Sequence, residues 1–419
     1  MRRVLRLIRA GVGSRAGRTT AWSFTNVALA TVVGVLTARM LGVDLRGVLG
    51  IFVSVAGLAV LVGTLGTNVA IRRLLPRNEV GPKQYIRVSA LLFVCHLVLL
   101  YAIVWGLSVW VDATFAEPFV AAAFLAYGGA YFWSNQLLDL MNASGLMSRS
   151  AATNAFGTAV CVAALVVAAL SGAGFEGIVL CYFVSMVGQI GIGLFILRHS
   201  FERESQPGGG GRLLRLGPKL LGLNLGQAIA YRADTALIGA LGSASAAGIY
   251  AVATTPASVL TMPATALSQV MMHDVAAGKV SFRGVVRRVL LMMAGLAVLV
   301  LVGWALADLL IGILYGAAFA EAAGVLRVLL LAQLLLVPFI VLSRVVVACG
   351  ATWSASVPGI VGAVALIFIG VLLIPDLGAF GGAWASVCAY SMMSIVSFFQ
   401  AYRRREKLVR PRSEDDGAA

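Results

Sequence analysis

The stretch Leu216–Tyr250, LGPKLLGLNLGQAIAYRADTALIGALGSASAAGIY, is long and apolar enough to cross a bilayer, yet Arg232 and Asp234 lie well inside its apolar run. A charge at that depth costs ~2.5–3.5 kcal/mol on insertion scales, so it marks a pathway, a binding site or a partner on a neighbouring helix. Asn224, Gln227, Tyr231 and Asp234 recur at helical spacing and form one polar stripe. Arg232 lies ~200° round from Asp234, so the two do not pair on a straight helix. Each needs a partner elsewhere: another helix (Arg39 for Asp234), water in a cavity, or substrate.

The composition sets the solvent. Of 419 residues, 60% are hydrophobic and 12% charged, and the mean hydropathy is +0.95. Soluble domains carry about twice that charge, so the chain is a polytopic membrane protein of the all-α class. The net charge of +15 could suggest nucleic acid, but the basic residues fall in short loops, which is a topology signal, and no nucleic-acid partner is expected. Cys95, Cys161, Cys181, Cys349 and Cys388 form no CxxC pair. Neither a disulfide framework nor a metal site is indicated, and no motif calls for a cofactor.

Windows of roughly twenty apolar residues give twelve spans: Thr20–Ala38, Val48–Ala70, Val88–Val109, Phe119–Leu140, Ala151–Leu170, Gly177–Leu197, Leu216–Leu241, Ile249–Met272, Val289–Ile311, Val325–Val347, Val357–Ile374 and Gly381–Ala401. One side of the membrane collects the basic loops, such as Arg72 to Arg87, Arg198 to Lys219 and Lys279 to Arg288. The other side holds Arg39, Arg46 and Arg327 among more numerous acids. The positive-inside rule makes both termini cytoplasmic, as an even span count requires. Residues 1–18 lack a cleavage site and are expected to form a basic amphipathic segment on the inner surface. Residues 19–199 form a first lobe, 200–215 a cytoplasmic linker with a glycine run, 216–402 a second lobe, and 403–419 a disordered tail.

The lobes resemble each other. ARMLGVDLRGVLGIF in the first matches IGALGSASAAGIYAV in the second, pairing Leu41-Gly42 with Leu241-Gly242 and Gly47 with Gly248. Two six-span units in the same orientation are parallel repeats.

Other intramembrane polar residues have two readings each. Asn135, Gln136, Asp139 and Asn142 make a stripe on the fourth span; Asp139 is either a protonation site or a snorkelled helix end meeting Arg149. Asp234 shares the coupling reading. Arg344 is either a cavity residue or snorkels to the interface. Asn26 faces inward or lines a packing interface, and His96 is expected to be packed. Pro256, Pro263 and Pro338 fall within spans, as hinges or as static kinks. Gly222 and Gly226 form a GxxxG pair, which implies close helix packing.

LTARMLG with Gly47, followed by VGTLGTNVAIRRLL, resembles the first repeat of Wzx-type polysaccharide flippases. YRADTALIGALG followed by AGIYAVA is similar to the opening of their second repeat. These flippases belong to the multidrug/oligosaccharidyl-lipid/polysaccharide exporter superfamily. The resemblance implies twelve helices in two lobes around a central cationic cavity, and a polyprenyl-diphosphate-linked glycan as substrate. By position Arg39, Arg232 and Asp234 match charged sites of the family. The resemblance also implies alternating access in a bacterial inner membrane, with H+ or Na+ as coupling ion and glycan-assembly proteins as neighbours. Lipid II flippases usually have two further spans, which disfavours that branch.

Two other readings stay open. One is a cation-coupled multidrug or small-molecule exporter of the same superfamily, for which Asp139 and Asp234 are the available acids. The other is a non-transporting membrane enzyme of glycan assembly; no HExxH, GxSxG, Walker A or polar catalytic loop supports it. A major-facilitator transporter fits twelve spans, but the RRLLPRNEVGPKQYIR loop lacks that family's signature.

Overall fold

The computed structural model describes residues 15–405 apart from 112, 203–207, 277–279 and 349–353. Most of the expected basic segment and tail, and Cys349, therefore lie outside the described residues. Among those described, regular structure is helical throughout, and the chain divides into two compact units, Met1–Gly222 and Leu223–Ala419.

The first unit opens with α1, Arg15–Gly63, which carries the first two expected spans through a kink at Gly42. Gly42 has φ +70°, a conformation that glycine adopts without strain. The second span ends sooner than its hydropathy suggested. Leu65 and Gly66 both take positive φ, and a separate helix α2, Thr67–Leu74, begins there. Ala70, expected at the end of the span, sits on α2.

Four long helices complete that unit: α3 Pro82–Trp110, α4 Pro118–Ala143, α5 Met147–Leu170 and α6 Phe175–Leu197. Proline at the first position of α3 and α4 suits a site whose amide would have no helical partner. Helix α1 packs on α5, and α4 and α5 pack on α6.

Helix α7, Gly209–Leu241, departs from the expected linker. Gly209 to Gly211 are its first turn, not a flexible tether. A Cβ on Gly209 would meet the Gln84 side chain at 2.2 Å. Further along, a Cβ on Gly66 would lie 2.2 Å from the Gly217 carbonyl, and one on Gly217 2.5 Å from the Leu65 carbonyl. The two backbones touch because neither residue has a side chain. Leu213, Leu216 and Leu220 join the core formed by Ile71, Leu74, Tyr85 and Leu140. The start of α7 thus belongs to the first unit, and the division falls within the helix rather than in the preceding loop.

The second unit continues α7 and adds α8 Ala244–Ser258, α9 Thr261–Ala276, α10 Phe282–Ala305, α11 Ala307–Tyr315, α12 Ala322–Ala348, α13 Val357–Leu377 and α14 Ala379–Arg403. The expected eighth span is broken at Val259–Leu260 into α8 and α9. The repeat partner of Gly42 closes its turn differently: Gly242 is followed by Ser243, whose Oγ accepts from the Ala246 amide at 3.1 Å, a side-chain N-cap. Helix α12 packs on α9 and α14, and α14 on α13. Eight described helices are long and apolar enough to span a membrane, α1 counted as one despite its kink.

Candidate functional site

On α7 the polar stripe faces into the second unit, and the arginine beside it faces out. Asp234 is 7% exposed, whereas Arg232 is exposed. This is the separation that ~100° per residue demands. The side chain of Asn224 lies outside the described residues.

Asp234 finds its partners at home. The Tyr250 hydroxyl on α8 donates to Oδ2 at 2.7 Å, and the Thr235 amide donates to Oδ1 at 2.7 Å. Ser386 Oγ on α14 lies 3.0 Å from the Tyr250 oxygen and 3.1 Å from the Gly382 carbonyl, so it can donate to either. A carboxylate removed from water is thus answered by directed hydrogen bonds, the requirement for burying it. One turn back, Tyr231 packs edge-on against Phe339 and Tyr390, with ring centroids 6.3 and 5.9 Å away. Its hydroxyl is buried without a hydrogen bond of normal geometry, although Gln227 is the adjacent polar group. Arg344 on α12 is exposed but close enough for its charge to act on Tyr231.

Glycines hold α7 in this position. A Cβ on Gly226 would lie 2.5 Å from the Ile360 amide nitrogen, and one on Gly359 2.7 Å from that of Gln227. The close contact is therefore between Gly226 of α7 and Gly359 of α13. Its expected partner in the GxxxG pair, Gly222, has its side-chain position outside the described residues.

In the first unit Asp139 does not meet Arg149. It forms an ion pair with Arg72 of α2, and Asn68 is a further polar group beside the same carboxylate. The break at Leu65–Gly66, invisible to hydropathy, turns α2 so that Asn68 and Arg72, one helical turn apart, face α4. Arg149 instead lines a groove with Trp22 and Phe156. Gln136, fully buried, accepts from Tyr85 at 2.6 Å and donates to Ser89 at 2.9 Å. Asn135 donates to the Tyr131 carbonyl at 2.8 Å.

Arg46, read as an outer-loop residue, is buried. It is 8% exposed and its Nε has no hydrogen-bond partner among the described residues. It lies near Tyr182, which is adjacent to Thr37 and stands edge-on to Tyr127 at 6.2 Å. The clue in the sequence was its attachment to GVLGIF: Arg46 begins a buried helical run instead of ending a loop. Arg39, one turn before the kink, is exposed on α1.

The remaining polar residues serve packing. Asn26 accepts from Thr158 at 2.7 Å, joining α1 to α5. His96 stacks on Phe132 at 4.9 Å and contacts the Gly128 carbonyl at 3.3 Å. Pro256 and Pro263 flank the break between α8 and α9, where the Leu260 amide bonds back to Ala257 at 3.2 Å. Pro338 lies inside the continuous α12. Beside it the Phe339 amide donates to Ser394 Oγ at 3.2 Å, and that hydroxyl donates to the Leu335 carbonyl at 2.5 Å. A serine from α14 therefore fills a missing helical bond.

Comparison with known proteins adds a family and a fold. Residues 36–324 match the model of a family described as polysaccharide biosynthesis protein. A search of curated proteins returned no match. Among solved structures the chain is similar to an inward-facing multidrug resistance MATE family transporter of the MOP superfamily. The TM-score is 0.72 at 17% identity, over 94% of this chain and 99% of that one. It is also similar to the lipid II flippase MurJ in an inward closed conformation, with a TM-score of 0.76 at 12% identity over 93% and 89% of the two chains. A MOP superfamily transporter from Pyrococcus furiosus gives 0.60 at 15% identity over 94% and 96%. At such identities the likeness establishes the fold: that of these all-α, multi-pass membrane transporters.

Proposed function

The chain belongs to the polysaccharide biosynthesis protein family, and on that premise we propose that it flips a polyprenyl-diphosphate-linked oligosaccharide from the cytoplasmic to the outer leaflet by alternating access. The observation that carries this reading is a polysaccharide-biosynthesis match spanning residues 36–324 on a fold shared with exporters and a lipid flippase. The physics agrees with it. A sugar–diphosphate headgroup cannot cross hydrocarbon unaided, because each unpaired polar group costs several kcal/mol.

The proposed roles follow from burial and charge. Arg39 in the first unit, and Arg232 and Arg344 in the second, are exposed arginines on apolar helices, suited to forked hydrogen bonds with diphosphate. Asn224, Gln227 and Tyr231 accompany Arg232 on α7 as further substrate contacts. Asp139 and Asp234, both buried, are the candidate carriers of H+ or Na+ coupling. Pro256 and Pro263 bracket a helix break that can serve as a hinge; Pro338 is the third hinge candidate. The protein would sit in a bacterial inner membrane with both termini cytoplasmic, beside glycan-assembly proteins.

The test is a deletion strain complemented with wild-type or Arg232→Ala protein, scored for surface glycan and for the leaflet in which the lipid-linked intermediate accumulates. The intermediate should build up on the cytoplasmic face in the deletion strain and with Arg232→Ala. Normal surface glycan in the deletion strain, with altered drug susceptibility, would instead support a cation-coupled small-molecule exporter. The fold of the MATE transporter and the buried carboxylates favour that second reading.

A further inference from the structure

A groove of about 750 Å³ runs between α10 and α14 in the second unit, outside every residue assigned above. Its walls are aromatic and aliphatic, with Phe282, Leu290, Phe398 and Phe399 among them, and Arg283 and Arg287 stand at its edge. The rings brace one another: Phe282 lies 6.0 Å from Phe398 and 5.9 Å from Tyr402. Leu290 and Phe399 are each 59% exposed, so the groove opens toward the hydrocarbon.

The three arginines of this turn are treated differently. Arg288 is neutralised by Asp274 at 2.8 Å. Arg283 and Arg287 are exposed, and no acid pairs with them among the described residues. They are four residues apart, so they share one face, where like charges repel. They also occupy the first turns of α10, whose dipole adds positive potential. The opposite end of α10 carries Trp304, under the guanidinium of Arg327 at 5.2 Å, as an aromatic interfacial anchor. The basic end is therefore at the other membrane surface, at headgroup depth. Snorkelling arginines alone would account for the charge. They would not account for two same-face, acid-free arginines over a preformed ring-lined groove.

We propose that this groove binds an anionic phospholipid, with an acyl chain along Phe282, Leu290 and Phe399 and its phosphate between Arg283 and Arg287. The occupant is a lipid and not a soluble phosphate, because most of the groove is apolar and faces the bilayer.

The test uses full-length protein in detergent and compares dissociation constants for dioleoyl phosphatidylglycerol, dioleoyl phosphatidylcholine and inorganic phosphate. Phosphatidylglycerol should bind about 30-fold tighter than phosphatidylcholine, from two interfacial arginines, and inorganic phosphate should not compete. The R283Q/R287Q variant should lose the preference while keeping phosphatidylcholine binding, and R283K/R287K should retain most of it. Ala294→Trp, which fills the groove, should weaken both lipids. Equal binding of the two lipids by wild type, a preference that survives R283Q/R287Q, or competition by inorganic phosphate would overturn the proposal. None of these readings depends on glycan export, so failure here leaves the transport proposal standing.

Discussion

The Tyr250 hydroxyl donates to the Asp234 carboxylate at 2.7 Å, tying α8 to the one acid that α7 carries. Asp234 is answered by hydrogen bonds within its own unit, while Arg232, two residues earlier, faces away from it. The two charges, close in sequence, therefore stand in separate surroundings.

Tyr250→Phe removes the only side chain that reaches Asp234 from α8 among the described residues and should destabilise the protein by ~1–3 kcal/mol. Asp234→Asn keeps an oxygen that can accept from Tyr250 and no longer buries a charge, which offsets the lost acceptor for the Thr235 amide, so stability should stay within ~1 kcal/mol of wild type. If Asp234 carries coupling, transport is lost in Asp234→Asn all the same. Thermal unfolding in detergent, alongside export measured in cells, checks this; an Asp234→Asn protein less stable than Tyr250→Phe counts against it.

Arg72 and Asp139 are unequal partners, with side chains 53% and 11% exposed. Arg72→Ala strands a largely buried carboxylate, whereas Asp139→Asn leaves an arginine that water can reach. The first should cost on the order of 1–3 kcal/mol more than the second. Chemical denaturation of both variants reads the order, and the reverse order would mean that Asp139 is hydrated in the folded protein.

Ser394→Ala removes the hydroxyl bridging Phe339 and Leu335 next to Pro338 and leaves a buried amide and carbonyl without it. A loss of ~1–3 kcal/mol is expected, with Ser394→Thr milder. An unchanged melting temperature for Ser394→Ala would show that the proline kink is satisfied some other way.

Gly42 and Gly66 share φ +70°, but a Cβ on Gly42 meets nothing within 4 Å while one on Gly66 would overlap the Gly217 carbonyl. Gly42, at ψ −172°, lies in a region almost closed to other residues, so Gly42→Ala should cost ~1–3 kcal/mol of backbone strain alone. Left-handed Gly66, at ψ 8°, should lose ~1–2 kcal/mol of strain plus ~1–3 kcal/mol of overpacking as alanine. Chemical denaturation of both variants checks this, and a Gly66→Ala protein that loses no more than the ~1–2 kcal/mol of left-handed strain would argue against the close approach of the loop to α7.

The membrane-spanning character, the all-helical class, the positions of most spans and the opposed faces of Arg232 and Asp234 were all readable from sequence. Each depends on local periodicity, composition and the cost of leaving backbone unpaired in hydrocarbon. Partner choice depends on which helices meet, and only the tertiary structure decided it. Asp139 found Arg72 and not Arg149 because a glycine break turned α2 toward α4. Arg46 was buried because it begins a run, residues 46–52, that is buried all round the helix, a fact no hydropathy window carries. The glycine run at Gly209 became the first turn of α7 because its bare backbone could approach Gln84. Hydropathy measures what a segment avoids, and close packing between segments distant in sequence selects what it touches.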